Sequence, residues 1–250
     1  MTSAHVPLPP GGTLPSDVSA PIVPTRTVTL ENVTEWIQTG TPFTLTRWGD
    51  GEWHAVFGRK HGHNCSGQDY VPKLGKHLRR VLRQRPPYLL ELKKWEKVFG
   101  DRVDTWLLDE GLDSLDWIAP DILHRASAKG RLAPVIAALQ EAPDFLVIGP
   151  AHLRAAQATL GFRRMIEVPS TNAFSALDFL RAQAFTVAAT LPRGAVISVS
   201  ASMAANILVD DLYRRFGSDL IIIDTGSLWD PYAGVLSRSY MRNEAFRLSV

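Results

Sequence analysis

The sequence predicts an α/β fold, Rossmann-like, with a mostly parallel sheet covered by helices on both faces. Three observations carry that prediction. Short runs that are almost wholly apolar, at 145–148, 195–199 and 220–223, alternate with longer stretches of helical period. Such strands are buried on both faces, and strands separated by helices form parallel βαβ units. The runs end in residues such as Gly149, Ser200 and Asp224, which suit the turn from strand to loop. Finally, 250 residues with 45% hydrophobic and 21% charged side chains suffice for one core without disulfide staples.

Taken in order, residues 1–24 hold 6 of the 17 prolines and a single charge, Asp17. Such a segment buries too little apolar surface to offset its ordering entropy, so a flexible tail is expected there. Residues 25–250 are then one domain. Residues 30–39 read as a short helix with Trp36 and Ile37 on its apolar side, and 43–47 alternates like a strand. Val71, Leu74, Leu78, Val81 and Leu82 recur at helical spacing over 71–85, and Pro86 and Pro87 stop that helix. Residues 88–92 read as a second strand. The stretch 95–130, rich in Trp, Asp and Leu, reads as short helices with loops. Beyond it the expected order is strand 145–148, helix 151–160, strand 165–168, helix 172–190, strand 195–199, helix 202–216 and strand 220–223.

Several classes drop out. Cys65 is the one cysteine, so no intrachain disulfide forms, which fits a reducing cytoplasm. His61 and His63 lie near it, but a structural zinc site takes four ligands and there is no second cysteine. No run approaches the ~20 apolar residues that span a bilayer. No basic segment precedes an apolar one at the start, so no signal peptide and a cytoplasmic location are expected. A net charge of +2 neither demands nor excludes nucleic acid.

In parallel sheets ligands sit beyond the carboxyl ends of the strands. That rule selects 47–52, 149–152, 169–172, 198–202 and 224–230. The sharpest is Arg47-Trp48-Gly49-Asp50-Gly51-Glu52. In an extended segment Asp50 and Glu52 would both reach one hard cation, which takes oxygen ligands and shares itself with phosphates. Arg47 offers a planar fork for a phosphate, and Gly49 lets the backbone come close. The other reading is a strand-to-helix turn with Glu52 in the first helical turn. Ser198, Ser200 and Ser202 lie where a helix start would bind an anion, or would simply cap the helix. Asp224 closes the last strand, and Trp229, Asp230, Tyr232 and Arg238 follow in its loop. His152 sits where a base could sit, and a lone histidine is also often structural. The cations of 73–85 form either a solvated face or a face for phosphates. Neither a dinucleotide fingerprint nor a Walker A motif is present.

The Arg47–Glu52 segment resembles the Arg-Phe/Tyr-Gly-Asp-Gly-Glu segment of the GT-D-type glycosyltransferases, which carry Asp-x-Glu in place of Asp-x-Asp. Gln68-Asp69-Tyr70 before the leucine-bearing helix resembles that family's Gln-x-Tyr. Pro169-Ser170-Thr171-Asn172-Ala173 resembles its Pro-x-x-Asn-Ala, and Asp224-Thr225-Gly226-Ser227 its Asp-x-Gly-His, with Ser227 in place of the histidine. The resemblance spans about residues 43–240. It implies metal-dependent transfer of a sugar from a nucleoside diphosphate sugar, with uridine diphosphate the expected carrier, to a hydroxyl of a glycan or glycoconjugate. Asp50 and Glu52 would hold Mn²⁺ or Mg²⁺. Arg47, Gly49, Asp50, Gln68, Asn172, Ser200, Ser202 and Arg238 would bind substrate, and Asp230 or Asp224 would act as base. Two alternatives stand beside it: the same chemistry on a hydroxylated DNA base, suggested by the basic helix, and a Rossmann-like nucleotide-binding module without turnover.

Overall fold

The computed structural model describes residue 22, residues 24–238 and residue 241. Most of the segment expected to be a tail lies outside the described residues. Its end does not stand apart from the fold: Ile22 is buried, and its carbonyl accepts from Lys94 Nζ at 2.8 Å.

Helix α1 (Leu30–Gln38) starts at Thr29, whose hydroxyl accepts the Asn32 N–H while the Asn32 side chain accepts the Thr29 N–H. Strand β1 (Thr44–Trp48) leads through Gly49 into α2 (Asp50–Val56). Helix α3 (Pro72–Arg83) has proline in its first turn and buries Leu74, Leu78, Val81 and Leu82, the face its spacing predicts. Then come β2 (Leu89–Leu92), α4 (Glu96–Phe99), α5 (Arg102–Asp109), β3 (Trp117–Ile118), α6 (Ile122–Ala128) and α7 (Ala133–Glu141). The second half runs β4 (Phe145–Pro150), a 3₁₀ turn (Ala151–Ala156), α8 (Gln157–Leu160) and β5 (Arg164–Val168). A second 3₁₀ turn (Ala173–Ala176) precedes α9 (Leu177–Ala188), β6 (Val196–Val199), α10 (Ala204–Phe216) and β7 (Ile221–Asp224), with a last 3₁₀ turn at Pro231–Ala233.

The expected elements are present, with three differences. The two-residue β3 lies inside the stretch read as helices and loops, too short to show a period. Helix α7 had no counterpart in the reading, because its run Ala-Pro-Val-Ile-Ala-Ala-Leu is apolar almost all round and hides the amphipathic stripe. The helices expected at 151–160 and 172–190 both open as 3₁₀ turns.

The seven strands among the described residues pair in the order β3-β2-β1-β7-β6-β4-β5, every pair parallel. One face is covered around Trp53, Leu74, Leu78 and Leu208, the other around Val33, Leu139, Leu160 and Trp229. The fold is therefore the α/β, Rossmann-like class that the apolar runs predict. After β1 the chain passes to the first face through α2. After the neighbouring β7 it passes to the second through Leu228 and Trp229. Adjacent strands that send their chains to opposite faces leave a crevice between their loops.

Candidate active site

A cleft of about 750 Å³ opens along this carboxyl edge. Its walls come from the segments after all seven described strands, and all five strand-end segments picked from the sequence contribute to it. Trp95, Asp121, Asn172 and Ser202 line it with positive φ. They are four of the five non-glycine residues with that backbone among the described residues, the fifth being Arg85. Such conformations cost of order 1 to 3 kcal/mol each and cluster at functional sites.

Arg47 anchors the floor. Its backbone N–H donates to Asp224 Oδ2 (3.3 Å), and its carbonyl accepts from Asn206 Nδ2 (2.9 Å). Its guanidinium donates to Asp121 Oδ1 (2.9 Å) and lies 3.4 Å from Glu91 Oε2. Burial disfavours the charge, but Glu91, Asp224 and Asp121 more than offset it and hold the guanidinium above its ordinary value. The fork expected to meet a phosphate is thus turned toward carboxylates, with Nη2 bonded to Asp121 and the buried Nε making no hydrogen bond. Asp121 resists burial through Arg47 and Lys93, the latter at 2.6 Å, and its carboxyl falls to about 2. Glu91 accepts the N–H groups of Asp121 and Ile122 at 2.9 and 3.0 Å, yet burial raises its pKa.

The two carboxylates of the Asp-x-Glu segment lie in one helical turn, not in an extended run. Glu52 Oε2 accepts the Gly49 N–H at 2.9 Å, which corresponds to the strand-to-helix alternative. Both acids still line the cleft. Burial pushes Glu52 upward, with Gly49 and Arg47 opposing and Asp50 adding to the rise. Asp224 completes the acidic floor. Its Oδ1 accepts the Gly226 N–H at 3.0 Å, and burial, opposed by Arg47 and aided by Glu52, lifts it to about 7. No group of three or more His, Cys, Asp or Glu suited to hold a metal is present among the described residues.

The loop 61–70 forms one wall and is fastened at three points. Asn64 Nδ2 donates to Ser202 Oγ (2.8 Å), Gln68 Nε2 to Asn172 Oδ1 (3.3 Å), and Arg238 Nη2 to Ser66 Oγ (2.8 Å). Gln68 is only 2% exposed, and its side-chain Oε1 accepts the Phe174 N–H, so it holds the wall from behind. Ser200 bonds Thr225 Oγ1 at 3.0 Å, and α10 begins only at Ala204, so neither Ser200 nor Ser202 caps it. Gly49, Asn172, Ser200, Ser202 and Arg238 do line the cleft.

On the opposite wall His152 Nε2 lies 2.9 Å from Asp230 Oδ1, and the Ser237 hydroxyl donates to Asp230 Oδ2. The Asp230 side chain is 9% exposed and that of His152 is 35% exposed. Glu91, Lys93, Trp95 and Asp121 belong to the cleft although the sequence did not single them out. Glu91 had a signal, a lone charge within the apolar run of β2.

No protein-family model matches the chain, and no curated protein matches it in sequence. Two solved structures do match in fold. One is domain of unknown function 1792, described as having a distinct glycosyltransferase fold; the other is its selenomethionine-substituted form. Each superposes with a TM-score of 0.58 at 17% identity, over 84% of this chain and 81% of its own. The likeness is one of fold, described for those structures as a glycosyltransferase fold.

Proposed function

We propose that the protein is a metal-dependent glycosyltransferase that moves a sugar from a nucleoside diphosphate sugar, a uridine diphosphate sugar first, to a hydroxyl of a glycan or glycoconjugate. The observation that carries this reading is the cleft itself. It brings the Asp50–Glu52 turn, Asn172, the Ser200–Ser202 turn and Arg238 to one carboxyl edge of a sheet whose fold is similar to one described as a glycosyltransferase fold.

In kind, the donors suit a hard cation. Asp50 and Glu52 would offer carboxylate oxygens, and because residues two apart in a helical turn do not face each other, most of the cation's positions would be left to water and diphosphate, the usual habit of Mg²⁺. When bound, Mn²⁺ or Mg²⁺ would offset the charge of the leaving diphosphate. Gly49 presents close backbone, and Arg238 supplies a cation at the mouth. Of the two acids expected to act as base, Asp224 is tied to backbone amides and Asp230 to a histidine. The single cysteine suits a cytoplasmic enzyme. No helix among the described residues is long and apolar enough to cross a membrane.

Incubation with a panel of nucleoside diphosphate sugars and glycoside acceptors, with and without Mn²⁺, tests the reading. Release of a nucleoside diphosphate that needs both metal and the protein supports it. No release from any donor would leave a nucleotide-binding module as the better account.

A further inference from the structure

The sequence places the base on Asp230 or Asp224 and marks His152 only as a position where a base could sit; the pair His152–Asp230 orders these roles. Asp230 and Asp224 line the cleft as His152 does, but their carboxylates are engaged. The Asp230 side chain is nine-tenths buried, and both carboxylate oxygens are engaged, one by His152 Nε2 at 2.9 Å and the other by the Ser237 hydroxyl. Asp224 is also buried, with one oxygen on the Arg47 N–H and the other on the Gly226 N–H. His152 lies in front of Asp230, lines the cleft and keeps about a third of its side chain exposed.

An ionised carboxylate only accepts hydrogen bonds, so Asp230 fixes the proton of the neutral imidazole on Nε2. Nδ1 is then left with its lone pair. The order of the chain of hydrogen bonds matters here. Asp230 stands between Ser237 and His152, so the histidine does not activate that serine, and the arrangement differs from a hydrolytic Ser-His-Asp triad. What remains is a histidine held in one tautomer by a buried acid at the wall of the cleft, the second-partner arrangement of a general base.

We infer that His152 is the catalytic base that deprotonates the acceptor hydroxyl, with Asp230 as its positioning residue; this rests on the glycosyltransferase reading. In the step, the acceptor O–H bond breaks and its proton passes to His152 Nδ1. The acceptor oxygen forms the new bond to the anomeric carbon. The bond from that carbon to the diphosphate oxygen breaks, and its electron pair leaves with the diphosphate. Asp230 stabilises the imidazolium so formed.

Two measurements on the full chain test this. Long-range ¹⁵N–¹H spectra of histidine-labelled protein report the tautomer. The expected result is Nε2–H with an unprotonated Nδ1 for the signal that disappears in His152→Gln. An Nδ1–H tautomer would overturn the assignment. Kinetics then use UDP-glucose, UDP-galactose and UDP-N-acetylglucosamine, with water and p-nitrophenyl glycosides as acceptors. His152→Ala should lower kcat by about 10² to 10⁴, leave UDP binding unchanged and recover in added imidazole. Asp230→Asn should lower kcat less and shift the tautomer ratio. Wild-type kcat in His152→Ala, or equal loss of UDP binding and turnover without rescue, would contradict a base. Wild-type protein that neither binds UDP nor releases it from any donor would overturn the transferase reading, and the base with it.

Discussion

At Arg47 burial and pairing pull in opposite directions, and pairing wins because three carboxylates converge on one guanidinium. Removing one partner of such a cluster tests the balance. Asp121 has its folded pKa at about 2, below its ordinary 3.8. Between those values the unfolded chain binds the extra proton, so stability rises with pH through that window and is lost as pH falls through it. The linkage is worth about 2 kcal/mol above pH ~4. Asp121→Asn should therefore unfold at lower urea than wild type near neutral pH, and the gap should shrink as pH falls toward about 2. A gap independent of pH would contradict the ion-pair account. Gly226 offers a second test. Its φ is +49°, and an added Cβ would lie 2.6 Å from Arg47 Nη1. Gly226→Ala should displace that guanidinium and cost about 1 to 3 kcal/mol in urea unfolding. At this scale the sequence showed the right residue types but not their partners. Arg47 reads as a phosphate fork because Asp121 lies 74 residues away and Asp224 177 residues away. Distance along the chain hides the pairing that redirects the side chain. The same holds for His152, which meets Asp230 across 78 residues.

Among the elements, helices α2 and α3 cross closely at Gly75. A Cβ on Gly75 would meet the Ala55 carbonyl at 2.1 Å, so the two helices pack backbone to backbone there. Gly75→Ala must push them apart, and a loss of about 1 to 3 kcal/mol is expected, read as a lower urea midpoint with an unchanged m-value. Unchanged stability would mean that the helices do not touch as described. The periodicity of α3 was legible because four apolar residues recur on one side. Its charges were not. Arg79 donates to the Val56 carbonyl, Arg83 pairs with Glu110, and Arg85 donates to the Gly111 carbonyl. Half of the apparent basic face thus fastens the helix to its neighbours, and Lys73, Lys76 and Arg80 stay exposed. A gel shift with duplex DNA at about 50 mM salt should show no complex. A complex that weakens steeply with salt and vanishes when those three become glutamine would restore nucleic acid as the acceptor. Strand β3 and helix α7 escaped the reading for opposite reasons, one too short and the other too evenly apolar to display a period.

Over the whole molecule, the apolar runs at 145–148, 195–199 and 220–223 were enough to place β4, β6 and β7 and to make their pairing parallel. The strand order was not legible, because it depends on which neighbour each strand chooses and not on any local pattern. The location of the cleft followed from a general property of parallel sheets, so the segments at their carboxyl ends could be chosen before any contact was known. The fold then sets β1 beside β7 and gathers Arg47, Asp50, Glu52 and Asp224 on one floor. On the proposed function, this floor holds a nucleoside diphosphate through a metal on Asp50 and Glu52. The most direct test is the unfolding midpoint with UDP, GDP or ADP at about a hundredfold over Kd, with and without Mn²⁺. Binding at that excess adds about 2.7 kcal/mol, a rise of about 5 to 10 °C for a chain of this size. The comparison is Glu52→Gln, which can keep the hydrogen bond to the Gly49 N–H while removing the charge. The account predicts a Mn²⁺-dependent rise with one nucleotide in the wild type and none in Glu52→Gln. The same rise in EDTA, or in Glu52→Gln, would contradict it.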